Sequence, residues 1–245
     1  MADKVRVRLF FLYISDWKTN IKIIMELLEQ LSHCIEFGKI NQASPYPPDM
    51  KGQDGADELA KMALDQGVGA NDILQKGLVP GMEKVGLKFR ENKVFVPQVL
   101  MSAKAMSAAM VHLKPFFASG EVERKGKFVI CTVAGDLHDI GKNLVSMMIE
   151  GSGWEVIDLG VDVSTEKLLE TAKANPNCVV GLSALLTTTM NNMAKTVREI
   201  KAELPNQVVL VGGAPLTDDF RKEIGADFYS PDPQGAVEYL KTLVA

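Results

Sequence analysis

The sequence predicts an α/β protein in which an N-terminal helical bundle precedes a doubly wound parallel-sheet domain of the flavodoxin-like or Rossmann-like kind. Apolar residues recur at helical spacing through the first half of the chain, whereas the second half alternates short apolar runs with helical segments. The apolar runs lack the alternation of a half-exposed strand, which is typical of parallel strands covered on both faces. A length of 245 residues is sufficient for two such units.

In the first half we expect a bundle of about four helices. A Pro-rich loop over 43–54 is longer than a bundle connection requires, and we interpret it as an extended connector rather than a docking element. The predicted helices are Ile21–Phe37, Ala56–Gln66, Ala70–Gly77, Pro80–Glu91 and Pro97–Lys114.

The extreme N-terminus resembles a signal sequence only faintly. Its apolar run, Leu9–Ile14, is too short to span a membrane and is followed by polar residues without a cleavage site. Our hypothesis is that the natural chain begins at Met25 and that residues 1–24 are a non-native or disordered extension, which N-terminal sequencing of the native protein would test. The expected units are then a helical cap over 25–118, a charged hinge linker over 119–127 and a sheet domain over 128–245.

The second half alternates strands and helices, and this order predicts a parallel sheet. Ligands of such sheets bind in the loops at the carboxyl ends of the strands. The predicted strands are Phe128–Val133, Glu155–Leu159, Val179–Leu182, Val208–Val211 and a weak fifth, Asp227–Tyr229. The predicted helices are Lys142–Glu150, Thr165–Ala174, Met190–Leu204, Asp218–Ile224 and Gly235–Val244.

Composition excludes several classes of protein. A net charge of −4 without any basic run argues against nucleic acid as a partner, and no segment predicts a membrane span. The three cysteines lie far apart without a CxxC pair, which argues against a disulfide framework or a thiolate zinc site and indicates a cytoplasmic protein. Neither GxGxxG nor a Walker motif is present.

The loop after the first strand carries Asp-x-His-x-x-Gly. In this pattern His138 can donate one imidazole nitrogen to a metal while Asp136 holds the other ring N–H, and Gly141 permits a bulky ligand to approach. The alternative is a polar loop that only caps the next helix. Because no second ligand lies nearby, a multidentate zinc site is improbable, and a single protein ligand suffices only where a macrocycle already holds the metal.

The next two strand-end loops each have two interpretations. Four hydroxyl residues between Ser183 and Thr189 can bond a large polar ligand or can simply cap a helix. The pair Gly212-Gly213 permits a flat ring to pass close to the backbone, or forms a tight turn. The Met- and Ala-rich segment Phe95–Met106 is more typical of core packing than of a cofactor lid.

In combination, D-x-H-x-x-G, S-x-L and G-G resemble the signature of cobalamin-binding domains, and the bundle with its PQVLMSAKAM segment resembles the cap of the methionine synthase cobalamin module. The resemblance covers about residues 26–245. Without an attached substrate barrel, the chain is most similar to the stand-alone corrinoid proteins of methyltransferase systems, which serve methylamines, methanol, betaines or aryl methyl ethers.

The resemblance implies cobalamin as the cofactor, with methylcobalamin as its charged form, and assigns roles to residues. His138 would be the lower axial ligand of cobalt, Asp136 would hydrogen-bond His138, and Thr189 would extend this relay where related modules often have serine. Ser183 and Thr187 would contact the nucleotide tail. The other implied cofactor contacts are Asp139, Gly141 and Leu185 in the loops, Gly212 and Gly213 along the tail slot, and Phe89, Val96 and Val99 over the upper cobalt face.

The implied function is that of a methyl carrier in anaerobic one-carbon metabolism rather than a self-sufficient enzyme. Its partners would be a substrate-specific methyltransferase, a second methyltransferase directed to a folate or a thiol, and a reductive activation protein. The alternatives are the small cobalamin subunit of a radical mutase, a cobalamin-dependent sensor and a ligand-free receiver-type domain. A mutase subunit would lack this bundle, and a sensor would need an output module. The sequence leaves the methyl donor, the acceptor and the oligomeric state open.

Overall fold

The computed structural model describes residues 21–244 and contains a helical bundle followed by a parallel five-stranded sheet with helices on both faces. The predicted fold class is confirmed. Within the described range, no helix is both long enough and apolar enough to cross a membrane.

The bundle contains a first helix, α1, over residues 21–37, which confirms the predicted amphipathic helix. Residues 21–24, expected to belong to the N-terminal extension, are helical and continue into the rest of α1; residues 1–20 lie outside the described residues. The remaining bundle helices are α2 (Ala56–Asp65), α3 (Ala70–Asp72), α4 (Val79–Arg90) and α5 (Val96–Ala118).

Two prolines do not end helices where the sequence predicted. A π-helical segment, Ile73–Leu78, joins α3 to α4 without a break, so one helical run replaces the two predicted on either side of Pro80. Proline lacks an N–H and its ring clashes with the preceding turn, and the wider π turn just before Pro80 accommodates both problems. Helix α5 likewise continues through Pro115 to Ala118.

The sheet has the strand order β2-β1-β3-β4-β5, and all pairs are parallel. Each strand end lies within one residue of its predicted position. The strands are β1 (Lys127–Thr132), β2 (Glu155–Asp158), β3 (Val179–Ser183), β4 (Val209–Gly212) and β5 (Phe228–Tyr229). The helices are α6 (Ile140–Gly151), α7 (Thr165–Ala174), α8 (Met190–Glu203), α9 (Asp218–Ile224) and α10 (Pro233–Leu243).

The site is positioned by the reversal of strand order at β1. The chain passes from β1 to β2 on one side and then to β3 on the other, so the loops after β1 and β3 diverge and leave a crevice at the carboxyl edge of the sheet. The bundle packs beside this edge, where Val85 and Val99 join Phe128 and Met148 in one buried apolar cluster. The crevice therefore lies where the two units meet.

Candidate functional site

A cavity of about 430 Å³ opens at the carboxyl edge of the sheet. Its walls come from β1, β3, β4 and β5, from the first turns of α6 and from the end of α4. The lining residues that bear on the site are Phe89, Gly141, Lys142, Ser183, Gly212 and Gly213. His138 lies in the loop just before Gly141, so the candidate ligand loop leads directly into the cavity wall.

Asp136 joins the two loops that flank the crevice. Its carboxylate is fully buried (0 % exposed), and its Oδ2 accepts hydrogen bonds from the Leu185 N–H (2.8 Å), the Leu186 N–H (3.2 Å) and the Thr189 hydroxyl (2.7 Å). Its Oδ1 accepts from His138 through the backbone N–H (3.1 Å) and from ring Nδ1 (2.8 Å). The β1 loop is thereby fixed to the β3 loop through one side chain.

Asp136 stays ionised in this environment. Burial raises the pKa of its carboxyl, but the hydrogen bonds from Leu185, Thr189 and His138 together outweigh burial and hold the pKa well below its ordinary value. An ionised carboxylate can only accept hydrogen bonds, so Nδ1 of His138 must carry the proton that it shares with Oδ1. The tautomer of His138 is thereby fixed.

The other ring nitrogen of His138 is available to a ligand. No residue within 21–244 forms a hydrogen bond with Nε2, and half of the side chain (50 %) is exposed. The Thr132 hydroxyl donates to the His138 carbonyl at 2.9 Å and holds the backbone of the loop. An imidazole that a carboxylate orients through Nδ1, with Nε2 on an exposed ring, is the usual arrangement of a protein ligand to a metal.

The glycines of the third loop have different functions. Gly213 has φ = +141°, and a Cβ added there would lie 1.8 Å from the Ala184 carbonyl oxygen, so only glycine permits this contact between the β3 and β4 loops. A Cβ added at Gly212 or at Gly141 would meet no atom of residues 21–244 within 4 Å. These two glycines leave cavity space that a ligand can fill.

The remaining predicted site residues are distributed unevenly. Leu185 contributes its backbone N–H to Asp136, whereas Thr187 is exposed and does not line the cavity, and Asp139 is exposed with its carboxylate on Asn143 (3.0 Å). In the bundle, Phe89 lines the cavity, Val96 is half-buried and Val99 is fully buried between the two units. Contact of these six residues with a cofactor stays a prediction.

Two residues beside the site were not singled out from the sequence. Lys142 is buried against the cavity with its ammonium on Asp158 and Asn143, and Asp162 bonds the β1 loop from the loop after β2. Lys142 directly follows the recognised motif, and Asp162 follows a strand end in a Gly-containing loop. In the sequence, both Lys142 and Asp162 could have been noticed only from their positions shortly after predicted strands.

The residues fit a large planar group held from one face. Leu137 and Ile140, on either side of His138 and Asp139, are 71 % and 68 % exposed, an apolar rim that a corrin ring would cover. Beside this rim the Gly-lined cavity has space for a nucleotide tail, and one imidazole nitrogen, Nε2 of His138, is placed where it could bind a metal. A flavodoxin-like sheet with such a site defines the class of cobalamin-binding proteins.

Comparison with known proteins agrees with this class. Two family models described as B12 binding domain match residues 126–237 and 53–114. A corrinoid protein of Desulfitobacterium hafniense is 38 % identical over 221 residues, which cover 88 % of this chain and 96 % of the relative. Dimethylamine corrinoid protein 1 of Methanosarcina acetivorans is 41 % identical over 191 residues, covering 77 % and 88 % respectively.

A solved structure gives the same result for the fold. The crystal structure of the methanol:cobalamin methyltransferase complex from Methanosarcina barkeri contains a chain that matches with a TM-score of 0.75 at 26 % identity, over 89 % of this chain and 80 % of that one. The present chain belongs to the family of corrinoid proteins, the methyl-carrying components of methyltransferase systems.

Proposed function

We propose that this corrinoid protein accepts a methyl group from a substrate-specific methyltransferase and delivers it to a second methyltransferase directed to a folate or a thiol. The observation that carries the proposal is the arrangement of His138: the buried Asp136 carboxylate holds Nδ1, while Nε2 has no hydrogen-bond partner among residues 21–244 and half of the side chain is exposed. Membership among corrinoid proteins supports a methyltransferase partner, as does the likeness to a chain of the methanol:cobalamin methyltransferase complex.

In this function His138 would hold the cobalt of the cofactor through Nε2. Bound cobalamin would supply a cobalt centre that exchanges a methyl group between the partners. The anionic Asp136 would keep the imidazole oriented through Nδ1 so that Nε2 faces the group. The Thr189 hydroxyl, which donates to Oδ2, is one of the hydrogen bonds that keep Asp136 ionised.

The cavity would hold the displaced nucleotide tail. Gly141, Gly212 and Ser183 supply open space and a hydroxyl along its wall, and Gly213 brings the β4 loop onto Ala184. Asp139, Leu185 and Thr187 would complete the contacts of the rim. This use of the cavity is supported by its glycines, because no residue in the described part of the chain fills the space beside Gly141 or Gly212.

The helical bundle would protect the upper face of the cofactor and must leave it when a partner binds. Phe89 near the end of α4 lines the cavity, and Val96 and Val99 lie in the first turn of the next helix, α5. We propose residues 25–118 as the cap, 119–127 as its hinge and 128–245 as the cofactor domain. Exposed Gly120, with φ = +78°, supports a hinge in this linker.

A cytoplasmic location and a reductive activation partner belong to the same proposal. Cys34, Cys131 and Cys178 are free and buried, and burial raises the pKa of Cys131 to about 12 and that of Cys34 to about 11. Such thiols are structural and unreactive, as suits a reducing compartment. A cobalt carrier whose metal is occasionally oxidised would also require an external electron donor.

The test begins with reconstitution of the protein with hydroxocobalamin and its visible spectrum, alongside His138→Ala. We expect a coloured wild type and a variant that retains colour with the spectrum of a cofactor lacking a protein nitrogen ligand. A wild type without colour, or a spectrum that ignores the substitution, would overturn the assignment of His138. Methyl transfer from a methylated substrate with purified candidate methyltransferases then separates a carrier from a mutase subunit or a sensor, which would transfer none.

A further inference from the structure

The loop after β2 wraps around the carboxyl end of β1 and reaches the candidate ligand loop. The Thr132 N–H donates to the Gly160 carbonyl (3.0 Å), and the Val163 N–H donates to the Thr132 carbonyl (3.1 Å). Between these two bonds the chain turns sharply, with φ = +88° at Gly160 and φ = +51° at Asp162. The turn directs both the backbone and the side chain of Asp162 toward residues 135–136.

Asp162 forms two hydrogen bonds that bracket the dipeptide Gly135-Asp136. Its Oδ1 accepts the Gly135 N–H at 2.7 Å, and its own N–H donates to the Asp136 carbonyl at 3.0 Å. The first and last backbone polar groups of the dipeptide are therefore held from the neighbouring strand. Asp136 in turn carries Nδ1 of His138, so the position of the imidazole depends on this bracket.

We propose that Asp162 is a positioning residue that sets the geometry of His138 toward the cofactor, acting through the backbone of Gly135 and Asp136. This inference rests on the proposed role of His138 as the lower ligand. A ligand's supporting groups normally determine its orientation and basicity, and a shift of a few tenths of an ångström in the Asp136 backbone would move the imidazole with it.

The conformation of Asp162 supports a role beyond chain connection. A left-handed φ is unfavourable for residues with a Cβ and costs least for Gly, Asn and Asp. Glycine would therefore be the simplest residue for the turn, yet it would supply no acceptor for the Gly135 N–H. Aspartate satisfies both requirements, and asparagine is the other residue that tolerates the conformation and has an Oδ1 acceptor.

This reasoning gives a set of matched variants. Asp162→Asn keeps the acceptor and the backbone conformation, whereas Asp162→Gly keeps the conformation and removes the acceptor. Asn177, with φ = +63° in the α7–β3 connection at the opposite edge of the sheet, provides the control, because Asn177→Gly alters a left-handed position far from the site.

The first measurement is hydrogen exchange of the cofactor-free protein. We expect the Gly135 amide to exchange about five- to tenfold faster in Asp162→Gly, which loses one hydrogen bond, and at the wild-type rate in Asp162→Asn and Asn177→Gly. The second is the nitrogen splitting in the EPR spectrum of the bound cobalt(II) cofactor, which reports coordination by His138. Asp162→Gly should show a smaller coordinated fraction and about five- to tenfold weaker cofactor binding, and Asp162→Asn should restore both.

Either of two results would overturn the proposal: nitrogen coordination in Asp162→Gly equal to wild type, or an Asp162→Asn protein as impaired as the glycine variant. Thermal unfolding of all variants provides the control for stability. The cost of a flexible glycine at a left-handed position would lower the melting temperatures of Asp162→Gly and Asn177→Gly alike, whereas the loss of the hydrogen bond to Gly135 affects only Asp162→Gly. If the wild type itself shows no nitrogen splitting, the proposed role of His138 fails instead, and the exchange measurement still tests the bracket.

Discussion

Arg90 at the end of α4 forms a bidentate ion pair with Asp232 at the start of α10, with Nε 3.1 Å from Oδ2 and Nη2 3.1 Å from Oδ1. Asp232 also caps α10 by accepting the Gly235 N–H at 2.9 Å, and Arg90 Nη1 lies 3.0 Å from Glu238 Oε1. Since Asp232 lines the cavity, this fork ties the helical bundle to the cavity wall.

We expect Arg90→Ala to favour displacement of the bundle. The ion pairs are partly exposed, so the expected loss is below about 1 kcal/mol, equivalent to about a fivefold rise in the displaced population. The measurement is hydrogen exchange of amides in α4 and α10, with proteolysis of the 119–127 linker as a second probe. Arg221→Ala, which removes an ion pair with Asp218 within α9, is the control and should leave both unchanged. Equal exchange in Arg90→Ala and wild type would show that the Arg90 ion pairs do not hold the bundle against the sheet domain.

Asp136→Asn should weaken the hold on His138 without preventing cofactor binding. An amide oxygen accepts less strongly than a carboxylate, and one of its two polar groups is a donor facing existing donors. We expect the fraction of protein with nitrogen coordinated to cobalt to fall about 10- to 100-fold relative to the uncoordinated form. EPR of the cobalt(II) form measures that ratio. An unchanged ratio would show that the carboxylate does not orient the imidazole.

The Asp136 carboxylate also makes the free energy of unfolding depend on pH. The pKa of Asp136 is lower in the folded than in the unfolded chain. The ionised carboxylate therefore contributes fully to the free energy of unfolding above the pKa of the unfolded chain, which is about 4, and this contribution is lost as the pH falls through the pKa of the folded chain. Asp136→Asn should therefore unfold at lower denaturant than wild type at neutral pH, with the difference narrowing below about pH 4. Urea titrations of the cofactor-free proteins across this range measure it. A constant difference at all pH values would contradict the prediction.

The hydroxyl of Thr189 can be tested separately from its shape. Thr189→Val keeps the volume but removes the donor to Asp136 Oδ2 in a buried position, and we expect a loss of about 1–3 kcal/mol in unfolding free energy. Thr189→Ser keeps the donor and removes one methyl, so it should lie much closer to wild type. Chemical denaturation of the three proteins distinguishes them. Similar losses in both variants would mean that packing of the methyl, rather than the hydrogen bond, determines the effect.

The elements of this fold were largely predictable because the apolar pattern and the chain connectivity encode the same sheet. The strands from β1 to β5 could be located to within one residue, since buried parallel strands are continuous apolar runs bounded by turn residues. The continuous helix through Pro80 could not be predicted in the same way. It depends on a π segment whose wider turn accompanies the packing of Ile73, Leu74 and Leu78 in the bundle core.

The site was predictable where chemistry is concentrated in a motif and not where it depends on backbone geometry. Asp136, His138 and Thr189 are recognisable by residue type, and the structure brings them together. The bracket by Asp162 depends on a left-handed φ, which one sequence does not reveal at an aspartate. The burial of Val99 between the two units similarly follows from how α5 packs on the sheet domain, which apolar periodicity cannot specify.

Substitutions at the adjacent glycines of the β4 loop distinguish an effect on the stability of the fold from an effect on cofactor binding. Gly213→Ala would place a Cβ against the Ala184 carbonyl at a backbone conformation unfavourable for alanine, and we expect a loss of at least about 1–3 kcal/mol in stability. Gly212→Ala meets no protein atom within 4 Å, so stability should change little. Its methyl group would instead occupy space in the cavity.

Cobalamin and cobinamide, which lacks the nucleotide tail, then test what that space holds. If the tail occupies the cavity, Gly212→Ala should bind cobalamin more weakly than wild type and bind cobinamide equally well, because only cobalamin must pass the added methyl. Equilibrium binding followed by absorbance measures both affinities, with Gly141→Ala as a second open-sided glycine of the same wall. Equal losses for the two ligands would place the effect at the corrin ring, and the cavity would then need another occupant.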